Sequence, residues 1–228
     1  MFDAKKRKEE RFASGAEDQI SLKAYNLIVG ATILYGFVVN VVTVLLARNV
    51  LISLLDRFLW FPFAFLAGYF VMAICGSILA MRSNRPIWSF VGYNLIVFPI
   101  GAVLALLLPF YASRYILLAV VLTGIVTVIM LVLSMTFPKL FSRLGPSLLL
   151  ALGVGILAEV GAGLLGFDGT LLDILFVVLF SLYIGYDWHR AKAYPKTVDN
   201  AIDSAVDLYL DIINIFTRLL DIIDKIKN

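Results

Sequence analysis

The sequence predicts an all-α membrane protein built as a bundle of seven transmembrane helices. Three observations lead there. Apolar residues make up 61% of the 228-residue chain and charged residues 15%, against about 45–50% and about 25% in soluble domains. The apolar residues gather into runs that match the ~20 residues a helix needs to cross a hydrocarbon core. Those runs lack the alternation of a barrel strand about ten residues long. A soluble domain of this composition would leave large apolar patches in water, so an ordinary soluble enzyme and a disordered chain are both excluded. The net charge of +3 is too small to point to nucleic acid, and Cys75 is the only cysteine, which excludes a disulfide scaffold.

The spans follow in order. Residues 1–24 form a charged tail without an apolar run, expected in the cytoplasm, and residues 25–228 form the membrane bundle. The first span, Tyr25–Ala47, is too long for a signal-peptide core and reads as a retained anchor. The polar stretch from Arg48 to Arg57 closes it. Leu59–Met81 is the second span, closed by Arg82-Ser83-Asn84-Arg85-Pro86. The third, Ile87–Leu108, contains Pro99 and Gly101, which are expected to kink it and loosen its backbone bonds. Pro109 to Arg114 separates it from Tyr115–Phe137, and Pro138 to Pro146 separates that from Ser147–Leu165. This fifth span holds Gly153, Gly155, Gly161 and Gly163, small residues that permit close helix approach. Leu171–Tyr186 is the sixth, with Asp173 in its first turn, where it complements the helix dipole. The loop from Trp188 to Thr197 leads to Ala201–Leu220, the most polar of the seven. Trp60, Trp88 and Trp188 fall at span ends, as interfacial aromatics do.

Basic residues sort by side. With the N-terminus in the cytoplasm and seven alternating spans, 13 of the 19 Lys and Arg fall in cytoplasmic segments. That excess orients the chain with its N-terminus inside and its C-terminus outside.

Ionisable groups are costly in the hydrocarbon region, by at least ~2.5–3.5 kcal/mol each on insertion scales, so those the chain retains there are informative. Glu159 lies in the fifth span, where two readings stand: it lines a polar path, or it hydrogen-bonds to a neighbouring helix. Asp187 ends the sixth span. In the seventh, at 100° per residue, Asp199, Asn200, Asp203, Asp207, Asp211, Asn214, Thr217, Arg218, Asp221 and Lys225 share one arc, and Ile212, Ile215, Phe216, Leu219 and Ile223 lie opposite. Such a helix lies flat on the bilayer or stands inside a ring of the other six. Surface helices are rich in Lys and Arg on the polar face. This stripe is mainly Asp, which favours the upright, central placement. Depth along a hairpin leaves Asp207 and Asp211 as rival partners for Asp187.

The run Ser181-Leu182-Tyr183-Ile184-Gly185-Tyr186-Asp187, followed by Leu208-Tyr209-Leu210-Asp211-Ile212-Ile213-Asn214, resembles the Bax inhibitor family of membrane proteins, in particular its bacterial members, whose two aspartates are likewise 24 residues apart. Gly92-Tyr93-Asn94 through Phe98-Pro99-Ile100-Gly101 is similar to the family's third span. The resemblance implies a seven-helix bundle with the last helix central and a calcium leak sensitive to pH. It implies that Asp187 and Asp211 are the paired proton sensors, and it selects Asp211 over Asp207. It also implies an arginine near the inner end of the second span that contacts the pair, for which Arg82 is the nearest match after a shift of about one residue. The basic C-terminal cluster of eukaryotic members is absent from Asp224-Lys225-Ile226-Lys227-Asn228, so a role in cell death does not carry over. A bacterial inner membrane is the expected location.

Two carboxyls sharing a low-dielectric site titrate as a unit. A singly protonated pair makes a short hydrogen bond that ties the sixth span to the seventh. Full ionisation separates the helices or draws a cation between them, and oxygen ligands suit calcium. Asp187 and Asp211 are thus expected to gate a calcium path and to contact the permeant ion, with Asp207, Asn214, Glu159, Arg218 and Arg82 in support. No resident cofactor, nucleic acid or enzymatic chemistry is expected; the partners are the lipid bilayer, calcium and protons. A proton-coupled carrier fits the same carboxyl pair. An intramembrane aspartyl protease fits Tyr186-Asp187, but Asp211 follows Leu208-Tyr209-Leu210 where those enzymes have Gly-x-Gly, and their downstream Pro-Ala-Leu is missing.

Overall fold

The computed structural model describes residues 19–83 and 85–227, with the side chains of Met81 and Arg82 excepted, and no strand occurs among them. The charged tail up to residue 18 lies outside the described residues. Eight α-helices follow: α1 (Leu22–Arg57), α2 (Phe61–Arg82), α3 (Pro86–Leu107, continued by a 3-10 turn to Phe110), α4 (Ser113–Thr136), the single turn α5 (Pro138–Phe141), α6 (Gly145–Leu165), α7 (Thr170–Ala193) and α8 (Val198–Lys227). Six of them, α1, α2, α3, α4, α6 and α7, are long and apolar enough to cross a membrane.

Two expected boundaries need correction. The stretch from Arg48 to Arg57 does not end the first span, because α1 runs unbroken through it for 36 residues, about 54 Å at 1.5 Å per residue. That stretch contains neither Gly nor Pro, so nothing in it interrupts the backbone bonds; the helix ends only at the extended Phe58. The sixth span likewise runs past Tyr186. Trp188 to Ala193 is helix-compatible, and Arg190 and Lys192 in the last turn complement the dipole. Asp187 therefore sits inside a helix, and Trp188, at 8% exposure, is a buried residue. Trp60 (62%) and Trp88 (49%) do lie exposed at helix starts.

The chain forms two compact units. The first holds α1, α2, α3 and residues 194–206. Here α3 is the middle helix, packed on both α1 and α2, with Tyr93, Val97 and Ala105 fully buried. A Cβ on Gly92 would lie 2.7 Å from the Gly76 carbonyl oxygen and from the Ala80 nitrogen; only glycine allows α2 and α3 to approach so closely. The expected kink in α3 does not interrupt it, since the helix continues through Pro99. Polar ties link the unit: Tyr93 donates to the Thr32 carbonyl (2.9 Å), Tyr25 donates to the Asn200 carbonyl (3.2 Å), and Ser89 donates to Asp199 (2.7 Å).

The second unit holds α4, α5, α6, α7 and residues 207–228. Its middle helix is α7, which packs against α4, α5 and α6. Leu148, Phe176 and Leu179 form its apolar core. Ser134 of α4 donates to the Gly185 carbonyl at 2.6 Å, which fixes α7 two residues before Asp187.

Candidate functional site

The site is built on the last three turns of α7 and the part of α8 that lies in the second unit. The sequence shapes α8 for it. Polar residues recur every three or four positions, so they fall on one side of a helix. A stripe like this on a surface helix would be wet. Instead no residue from Val198 to Asp224 is exposed, and Asp199, Asp203 and Asp211 are all buried.

Asp187 and Asp211 are brought together. Their carboxyls lie close enough to act on each other, and they are 8% and 5% exposed. Ionised carboxylates only accept hydrogen bonds, so a direct bond between the two requires one shared proton. The second oxygen of Asp211, Oδ2, is buried without a hydrogen-bond partner. Arg190, three residues along α7, donates from Nη1 to Asp187 Oδ1 at 2.7 Å. Its guanidinium also stacks over the Tyr186 ring, 5.3 Å from the centroid. Asp207 is half-buried, and its charge acts on both members of the pair, opposed by that of Arg190. Tyr183 is a further titratable group close to both carboxyls.

The remaining expected site residues lie elsewhere or play other parts. Asn214 turns back on its own helix, donating to the Leu210 carbonyl at 2.7 Å. Arg82 closes α2, but the expectation for it falls on a side chain outside the described residues. Glu159 and Arg218 meet each other: Arg218 reaches Glu159 with both terminal nitrogens, at 2.6 and 2.8 Å, and Asp173 at 2.8 Å. Glu159 is thus hydrogen-bonded to a neighbouring helix. Asp173 does more than complement a dipole. It is 4% exposed and accepts from Lys225 (3.0 Å) as well as from Arg218.

Two groups beside this second cluster lie outside the spans. The Asp168 carboxyl accepts from the Thr170 hydroxyl (2.7 Å) and backbone N–H (3.0 Å), and these bonds hold it below the usual carboxylate range. Tyr111 donates to Asp221. Burial pushes its phenol up, helped by the Asp221 carboxylate, so it remains a donor at neutral pH.

Arg190, Asp173 and Lys225 were not among the expected site residues. Arg190 had a local signal, an acid and a base three apart on one helix. The contacts of Asp173 and Lys225 are between distant segments and had none. Among the described residues no group of three or more His, Cys, Asp or Glu could hold a metal ion. The arrangement instead sets two buried carboxyls beside each other. Two ionised carboxyls at this position repel each other, and an uncompensated buried charge is costly.

A family model described as "Inhibitor of apoptosis-promoting Bax1" matches residues 17–228. No curated protein matches the chain.

Proposed function

We propose, given that the chain belongs to the Bax inhibitor family, that this integral membrane protein is a calcium-leak channel gated by the protonation of the Asp187–Asp211 pair. In this reading α8 is a seventh membrane-crossing segment at the centre of the bundle, with the N-terminus cytoplasmic and the C-terminus outside. The absence of any exposed residue from Val198 to Asp224 supports that central place. A bacterial inner membrane is the proposed location.

The meeting of two buried carboxyls on different helices carries the proposal. With one proton shared, Asp187 and Asp211 tie α7 to α8 and the path is closed. With none, the two charges repel each other, Asp207 adds to the repulsion, and Arg190 bonds only one of them. Separation then leaves an acidic lining, which selects cations. Calcium is the permeant ion and is coordinated in passing by Asp187 and Asp211. A lining of two or three carboxylates falls short of the 6–8 oxygen ligands of a resident calcium site, which suits an ion that must leave again. The role is conduction, with no catalytic step.

Calcium flux into liposomes holding the purified protein, followed across a pH series, tests this. The parent is expected to leak more as pH rises. Asp187→Asn and Asp211→Asn each remove one titrating group, and each is expected to flatten the pH profile. An unchanged profile in both variants would remove the sensor role.

A further inference from the structure

The C-terminal part of α8 carries charges that the Asp187–Asp211 pair does not use. Arg218 lies on the same polar stripe as Asp211 and seven residues beyond it, about 10 Å along the axis at 1.5 Å per residue. Between them Asn214 and Thr217 bond back to carbonyls of their own helix. Arg218, Asp221 and Lys225 tie this part of α8 to other elements. Arg218 is held in a fork on Glu159 of α6 and bonds Asp173 of α7. Its guanidinium lies over the Phe176 ring, 4.5 Å from the centroid. Lys225 adds a second bond to Asp173 and reaches Asp168, in the α6–α7 connection, at 3.5 Å. Three consecutive elements are thus closed onto α8 by two cations.

We infer that Arg218, forked between Glu159 and Asp173, is a latch that closes the C-terminal half of the cation path. The inference rests on the proposed conduction role. The planar guanidinium matches a carboxylate with two parallel bonds, so the latch has one well-defined closed geometry. A cation moving along the stripe from Asp211 meets a fixed positive charge at Arg218. To pass, it must displace that charge, and Glu159, whose side chain is 42% exposed, is the partner freest to swing away. Asp173, with its side chain 6% exposed, stays as the anchor. This closure is separate from the carboxyl pair: the pair sets when α7 and α8 part, and the latch sets how readily ions move on from there.

The test uses the full chain reconstituted in liposomes. In a Cys75→Ser background, which removes the only cysteine, Asn214→Cys places a thiol between pair and latch. A membrane-impermeant thiol reagent is then applied from the C-terminal side. Arg218→Gln is expected to speed labelling by at least about tenfold, the change expected when even one of its three charge-assisted hydrogen bonds no longer holds the closed form. Calcium flux is expected to rise by a similar factor, with the pH of half-maximal flux unmoved. Glu159→Gln retains the bond to Asp173 and is expected to give a smaller acceleration of both; it carries the test if Arg218→Gln does not yield monodisperse protein. Labelling at the parent rate in these variants would overturn the latch, even where the parent's flux remains pH-sensitive. A parent that passes no calcium at any pH would overturn the conduction role, and the labelling rate would still decide the latch.

Discussion

Arg190 lies one helical turn beyond Asp187 and donates to its Oδ1 at 2.7 Å, so one member of the buried carboxyl pair has a cation of its own and the other has none. That asymmetry makes Arg190 a control on when the pair lets go of its proton. A nearby positive charge favours the ionised form of a carboxyl. Arg190→Gln removes this help and is expected to move the half-maximal pH of calcium flux upward by about one unit. A liposome flux series over pH checks it, and a midpoint that stays put or falls would mean that Arg190 serves only packing.

Gly185 lies two residues before Asp187, where a Cβ would come within 2.1 Å of the Phe141 ring. The contact needs glycine because the ring of α5 lies directly against the α7 backbone. Gly185→Ala is expected to destabilise the protein by about 1–3 kcal/mol, the usual cost of overpacking. Thermal unfolding in detergent measures it. Phe141→Ala opens the space that the new methyl needs, so the double variant is expected to lose less than the sum of the two single losses. Strict additivity would contradict the contact.

Asp168 gives a pH dependence at the start of α7. The Thr170 hydroxyl and N–H hold its carboxylate below the usual range. A carboxyl depressed in the folded state contributes stability above its unfolded value, and that contribution is lost as pH falls through the folded value. Amide protection in the first turn of α7 is therefore expected to hold at neutral pH and to weaken only in strong acid. Hydrogen exchange, corrected for intrinsic rates, follows it. In Asp168→Ala the protection is expected to be low at every pH, and an acid-dependent loss in that variant would assign the effect to another group.

Much of the fold was legible because bilayer thickness imposes its length on every apolar run. The six spanning helices sit close to where composition placed them. The boundaries that moved, α1 through Arg57 and α7 through Ala193, moved because charged residues were read as helix ends. Arg and Lys are ordinary helix formers, and a charge does not by itself end a helix. The stripe on α8 was legible from periodicity. Its burial was not, since amphipathicity alone fits both a surface helix and a central one. For the site, spacing left Asp187 with two rivals on α8, and the structure joins it to Asp211 while Asp207 acts on both through its charge. The Arg218–Glu159–Asp173 cluster was not legible as a unit. Its members lie 45 and 59 residues from Arg218, and nothing periodic links positions so far apart. Each had only a local reading, a dipole partner for Asp173 and two open readings for Glu159.

The central claim is that Asp187 and Asp211 touch because they share a proton. Their separation in the membrane, taken from structures of the reconstituted chain at acid and at alkaline pH, tests this without relying on any ion. The account predicts carboxyls in hydrogen-bond contact in acid and parted in alkali, with α7 and α8 displaced from each other. Carboxyls equally close at both pH values, with the two helices unmoved, would contradict it.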